Sequence, residues 1–307
     1  MLFRSLAARA ADELPQLIAE ALAKNPEVRA ARSEQQAAQQ RIAPAGALDD
    51  PMIEAGVLNL PTSSFSFARE DMTMKMLGVS QRLPYPGKRD LKREVAQRDA
   101  QAVDYAYQET ANRVARSVKL AWFDLALALE ARRVAQQSRA LLAQLAKIAE
   151  GRYTVGQGSQ ADVLLAQTQV AKMGEELLKS ERDVAMAVAE LNRALGRDPG
   201  ADAITQQPLA LDEQTPYFHA VHGEALTQRP QLLALQTLAQ KSEQALELAR
   251  KDKLPDFDLR FAYGQRDAMP GGMPRSDLVS LTVAINLPLW GASKNAPRSE
   301  EHTSELQ

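Results

Sequence analysis

Val163, Val170, Leu177, Val184 and Leu191 stand seven residues apart without a break. Beside them run Ala166, Met173, Ser180, Ala187 and Ala194, mostly small. An upstream stretch repeats the arrangement. Tyr107, Val114, Ala121 and Ala128 recur every seventh position, with Ala111, Val118 and Leu125 between them. A heptad places its apolar side chains on one stripe of a helix, and that stripe needs another helix to cover it. The upstream pattern runs without interruption from Gly87 to about Glu150, which at ~1.5 Å per residue is on the order of 90 Å. The chain is therefore expected to be mainly α, built on long coiled-coil helices.

The two heptad stretches are divided by "EGRYTVGQGSQAD". Gly151, Gly156 and Gly158 suit a turn, and Ser159 can cap a new helix with Asp162 in its first turn. That second helix is expected over about 159–195, closed by "LGRDPG". An earlier helical stretch spans about Asp12 to Ile42, and Asn25-Pro26 is expected to break or kink it, because proline removes a donor and disfavours αR before it. After a Pro-containing connector over 200–217, helix returns at about Phe218–Lys253.

Four runs read as strands: about 52–60, 73–83, 256–265 and 277–287. Each pair encloses a polar loop, "TSSFSFARED" or "DAMPGGMPRS", which is the pattern of a β-hairpin.

An offset of 204 lays one part of the chain on another. Ala21-Leu22 falls on Ala225-Leu226, Pro26 on Pro230, Pro51 on Pro255, Leu83-Pro84 on Leu287-Pro288, and Gly87 on Gly291. The matches mark the same helix, hairpin and turn in the same order, so the chain reads as an internal duplication. Residues 6–199 form the first repeat, and 218–297 a second one that stops where its long helix should start. "RSEEHTSELQ" at 298–307 reads as a translated sequencing adapter, and Met1–Ser5 as the opposite adapter end. Both ends are set aside from the fold. A missing signal peptide then carries no information.

The strand faces are informative. In the last strand Val279, Leu281, Val283, Ile285 and Leu287 point one way, and Ser280, Thr282, Ala284 and Asn286 the other. In its partner Phe257, Leu259, Phe261 and Tyr263 oppose Asp256, Asp258 and Arg260. About ten residues is the length of a tilted strand that crosses a bilayer. A soluble half-buried sheet fits the same alternation locally. It would need an apolar layer over it, however, and the helices spend their seams on each other. Four strands cannot close a barrel, and open edges are forbidden in lipid. Phe257, Leu259, Phe261, Val279, Leu281, Val283 and Ile285 are thus expected to face lipid, in a barrel pooled from several chains.

The composition closes off other classes. Charged residues balance to a formal −2, and no dense basic patch offers itself to nucleic acid. There is no cysteine, hence no disulfide, thiolate nucleophile or Cys-type zinc site. No run of 18 apolar residues suggests a membrane helix. Nothing places a Ser, His and Asp as a triad, and no Gly-rich phosphate loop occurs. No cofactor and no enzymatic activity are expected.

"DDPMIEAGVLNLP", "VSQRLPYPGKRDLKREVA", "GRYTVGQGSQADVLLAQ", "ELNRALGRDP" and "LPDFDLRFAYG" with "VSLTVAINLPLWGASKN" together resemble the TolC family of outer-membrane efflux proteins. The PYPGKR turn is most similar to the heavy-metal efflux branch, the CusC and CzcC types. The resemblance implies a homotrimer with a 12-stranded outer-membrane β-barrel and a periplasmic helical tunnel. It implies docking to a periplasmic adaptor and an inner-membrane RND-type pump. The turn carrying Tyr153, Gly156 and Asp162 would be one of two periplasmic tips, and Asp162 a gate residue. The alternative is a soluble coiled-coil adaptor or scaffold with a small β-domain.

Several residues have two readings. Pro84, Pro86, Gly87, Lys88 and Arg89, with Pro288 and Gly291 in the second copy, form the turn into the long helix. Lys88, Arg89, Lys92 and Arg93 there could face lipid phosphates or be a solvated cluster, mildly opposed by the helix dipole. His219 and His222 could share a metal but lack a third ligand, so surface positions fit better. Met72, Met74 and Met76 alternate along a strand, and Met74 and Met76 fall on the Ser280 face, where thioethers could meet soft cations; ordinary strand residues are the simpler reading.

Overall fold

The structure, a computed structural model, describes residues 14–201 and 218–287. It contains helices α1 (14–24), α2 (Pro26–Gln40), α3 (Ile42–Ala45), α4 (Lys88–Thr154), α5 (Gln160–Leu195), α6 (Phe218–Gln228) and α7 (Pro230–Lys251). The strands are β1 (Met52–Leu58), β2 (Met74–Leu83), β3 (Phe257–Gln265) and β4 (Leu278–Ile285). The chain folds as two compact units, and α4 contributes to both. Their boundaries do not follow the sequence repeats. Subtracting 204 nevertheless puts α6 on 14–24 and β4 on 74–81, the places of α1 and β2.

The first unit holds α1, the start of α2, most of α4, α5 and α6. Its core is the expected seam. Val114, Val118, Ala121 and Leu125 of α4 are buried with Val184, Leu191, Ala194 and Leu195 of α5, and with Leu17, Ala21 and Val28. Trp122, one position beside the heptad, is also wholly enclosed, and periodicity alone did not single it out. Burying one such large side chain is worth roughly 1.5–3 kcal/mol. The seam of α5 opens along its length: Val184 and Leu191 are buried, while Val163, Val170 and Leu177 are half-buried.

The first helical stretch is broken as Asn25-Pro26 predicts, and the break is used. Asn25 is buried, donates its side-chain amide to Ala194 O at 3.0 Å, and accepts from the Glu27 amide at 2.9 Å. It rests on the end of α5, where Gly196 turns the chain at φ +77. A Cβ on Gly196 would lie 2.9 Å from Asn25 Cα, so this position demands glycine for space as well as backbone angle. Glu20 clamps the same end, its carboxylate accepting from Arg197 Nε at 3.0 Å and from Nη2 at 2.6 Å.

The second unit holds the rest of α2, α3, the start of α4, α7 and the strands. Apart from Lys88, its buried helical positions are small: Ala38, Ala100, Ala102, Ala249, Thr237 and Ser242. The two hairpins join through β2 and β3, giving one antiparallel sheet in the order β1-β2-β3-β4. β1 stops at Leu58 rather than Leu60 because Asn59 turns at φ +55. The Asn59 carbonyl accepts from Thr73 Oγ1 at 2.7 Å.

Candidate functional site

Three places carry the expected functional residues: the sheet, the turn into α4, and the turn between α4 and α5.

Register decides the sheet. Phe257 pairs with Ile285, Leu259 with Val283, Phe261 with Leu281 and Tyr263 with Val279. On the other side Phe261 pairs with Val79 and Tyr263 with Leu77, and Val79 in turn with Ile53. Side chains directly opposite share a face. One face is therefore apolar across all four strands, interrupted near its ends by Lys75, Gln81 and Gln265. It is uncovered: Ile53 is 79% exposed, Leu281 74% and Val279 64%. Leu259, Phe261, Val283 and Ile285 are exposed as well, and Phe257 is half-buried. The opposite face carries Glu54 in an ion pair with Arg260, along with Ser80, Asp258 and Thr282. Met74 and Met76 stand on this polar face, Met74 packed beside Gly264. Met72 precedes the strand and is exposed. Among the described residues β1 and β4 pair on one side only, so both edges of the sheet are open.

The turn into α4 lies at the end of β2. Pro84 and Tyr85 are half-buried, Pro86 is exposed, and Gly87 adopts φ +83. Lys88 departs from the surface-cluster reading. It is only 4% exposed and donates to Asp256 Oδ1 at 2.8 Å and to Leu254 O at 2.9 Å. Asp256 also accepts from the Tyr85 amide at 3.0 Å and faces Arg82 at 3.3 Å. Burial pushes its carboxyl up, but the Lys88 ammonium, the Tyr85 amide and Arg82 together hold it below the usual range. Sequence spacing alone could not reveal this pair, because its members lie 168 residues apart. Arg89 donates Nε to Gly46 O at 3.0 Å. Pro288 and Gly291 lie outside the described residues.

The turn after α4 closes on itself. The Gln157 amide donates to Arg152 O at 2.8 Å and that of Gly156, at φ +75, to Tyr153 O at 3.0 Å. Ser159 and Asp162 form the capping box: Ser159 Oγ accepts from the Asp162 amide at 3.2 Å, and the Asp162 carboxylate accepts from the Ser159 amide and hydroxyl. The hydroxyl, then the amide, hold the Asp162 carboxyl below its ordinary value. Tyr153, Val155, Leu164 and Leu165 are all exposed around it. An apolar surface without a cover at a tight turn can dock a protein.

One further pattern escaped the sequence reading. Leu120, Leu127, Val134, Leu141 and Ile148 also stand seven apart on α4, and each is about half exposed or more. Alongside its buried seam, α4 carries this second, uncovered one.

Residues 17–197 match the family model described as outer membrane efflux protein. The chain belongs to this outer membrane efflux protein family. Among solved structures, VceC, an outer membrane protein of Vibrio cholerae, superposes with a TM-score of 0.76 at 20% identity, over 96% of this chain and 73% of that one. CusC gives 0.73 at 16% identity, over 96% and 70%. At such identities the likeness is one of fold: long helices with a small antiparallel sheet. The fusaric acid resistance protein FusA of Burkholderia cepacia is 26% identical over 121 residues, which span 39% of this chain and 23% of FusA. The efflux-protein assignment leaves the soluble adaptor alternative without support.

His222 lies on α6 and is exposed. The His219 side chain lies outside the described residues. Among the described residues no cluster of three or more acidic, His or Cys side chains is placed to hold a metal, and no helix is long and apolar enough to cross a membrane.

Proposed function

We propose that this chain is a protomer of an outer-membrane channel, a passive conduit for export that catalyses no reaction. The observation that carries this reading is the sheet. Its exposed apolar face suits lipid, its polar face suits water, and its two open edges cannot remain open in a membrane. Strand direction alternates from β1 to β4, so β4 can pair antiparallel with β1 of a sister chain. Three copies of four strands would close a barrel of twelve. The uncovered seam of α4 supports the same assembly, since a helical tunnel through the periplasm needs α4 to touch helices on two sides. The exposed turn at Tyr153–Asp162 is then the surface for a periplasmic adaptor, with Asp162 lining the entrance, and an inner-membrane RND-type pump would supply the energy.

Heavy-metal cations are the cargo we infer from the PYPGKR turn. The identity with FusA favours a second reading, an aromatic or heterocyclic organic acid. Disk-diffusion sensitivity of a deletion strain to copper, silver and zinc salts against fusaric acid separates the two.

Residues 1–307 contain no cysteine, so an engineered pair meets no other thiol among them. Gly56→Cys on β1 and Thr282→Cys on β4, expressed in the full-length gene, should cross-link copies into a species of three chains in the outer-membrane fraction. A monomer in the soluble fraction would refute the channel.

A further inference from the structure

We propose that Arg89 and Arg93 form a binding site for the phosphate of a membrane phospholipid at the rim of the sheet. The inference rests on the channel reading above and adds a specific lipid contact to it. Gly46, which precedes β1, gathers the two guanidiniums. Its carbonyl accepts from Arg89 Nε at 3.0 Å. A Cβ at Gly46 would meet Arg93 Nε at 2.8 Å and Nη2 at 3.1 Å, so Arg93 lies directly against the bare glycine. The two arginines come from successive turns of α4 and converge on one buried backbone position.

Among the described residues no acceptor meets the terminal nitrogens of Arg89. Among the described residues the one carboxylate near Arg93 is Asp90, 3.8 Å away and itself 71% exposed, too far for a hydrogen bond. Two forks of donors thus face a single loosely held carboxylate. Asp49 and Asp50 are exposed on the same segment, which disfavours a patch that collects anions indiscriminately.

The neighbouring surface says which anion fits. The apolar face of the sheet ends at Leu83 on β2, and Arg89 follows six positions later. Asp49 O accepts from Gln81 Nε2 at 2.8 Å, tying the Gly46 segment to the end of β2. Exposed Leu48 lies on that segment too. A group just past the end of a lipid-facing surface sits in the headgroup layer. The guanidinium fork matches two oxygens of a phosphate, and the acyl chains of the same molecule would lie on the apolar face.

The test uses the full-length protein purified as its assembled form, with phosphatidylglycerol titrated and bound copies read by native mass spectrometry. Arg93→Gln keeps the Arg89–Gly46 bond and should weaken retention about tenfold, the loss of one charge-assisted contact. Arg89→Gln with Arg93→Gln should abolish it, while Lys92→Gln, which removes a neighbouring charge but neither guanidinium at Gly46, should weaken it by less than about twofold. Retention equal in the wild type and the double variant would overturn the site, as would an equal loss in Lys92→Gln. So would full displacement of the lipid by millimolar inorganic phosphate, which would show an anion site indifferent to acyl chains. Vesicle flotation of each variant separates this failure from failure of the channel reading, because a chain that never floats with vesicles overturns both.

Discussion

Lys88, the first residue of α4, donates at 2.8 Å to Asp256, the residue preceding β3, and is nearly sealed from water by that arrangement. The bond fastens the start of α4 to the entry of β3, 168 residues away in the chain. Removing one partner of such a pair strands the other charge. Lys88→Met should therefore destabilise the protein by about 3 kcal/mol. The double variant Lys88→Met with Asp256→Leu should recover much of that loss. Chemical denaturation of the three variants checks both statements.

Glu20 gives a pH dependence with a definite sign. The Arg197 guanidinium, outweighing the upward push of burial and aided by Lys24, holds its carboxyl down at about 2 instead of 4.5. A carboxyl whose folded pKa is depressed stabilises the fold fully above its unfolded value. That contribution disappears as pH falls from about 4.5 towards 2. Unfolding free energy measured across this window should have a shallower slope in Glu20→Gln than in the wild type.

Two glycines at nearly equal φ should respond differently to alanine. Gly156→Ala meets open space and suffers only the backbone cost, about 1 kcal/mol. Gly196→Ala adds a clash with the Asn25 backbone and should cost at least about 2 kcal/mol more. Thermal melts of the two single variants should rank in that order.

Asp162 is built into a capping box, so its replacement has a local consequence whatever its role in a gate. Asp162→Ala should speed amide exchange over residues 159–163 and leave the buried seam at Leu191 protected. Hydrogen exchange resolved by peptide would show it.

A charge on the open face of the sheet should block insertion. Leu281→Arg places a cation at the centre of β4, at a cost of roughly 2–4 kcal/mol in a bilayer. Ser280→Arg, one residue away on the polar face, should insert normally. Urea extraction of outer-membrane fractions distinguishes the pair.

Periodicity read from the sequence identified the parts whose burial repeats. Val184 and Leu191 are buried where the heptad seam of α5 meets the seam of α4, and Val279, Leu281, Val283 and Ile285 share a face because a strand alternates. Asn25-Pro26 marked a break for an equally local reason. These features are written within a few residues of one another, so a single stretch of chain is enough to determine them. The tertiary structure decided the rest. It joined β2 to β3, placed Asn25 on the end of α5, buried Trp122, and drew Lys88 inward to Asp256. Each of those depends on partners tens to hundreds of residues away, and no spacing in the chain encodes a distance between segments that meet only when the fold closes.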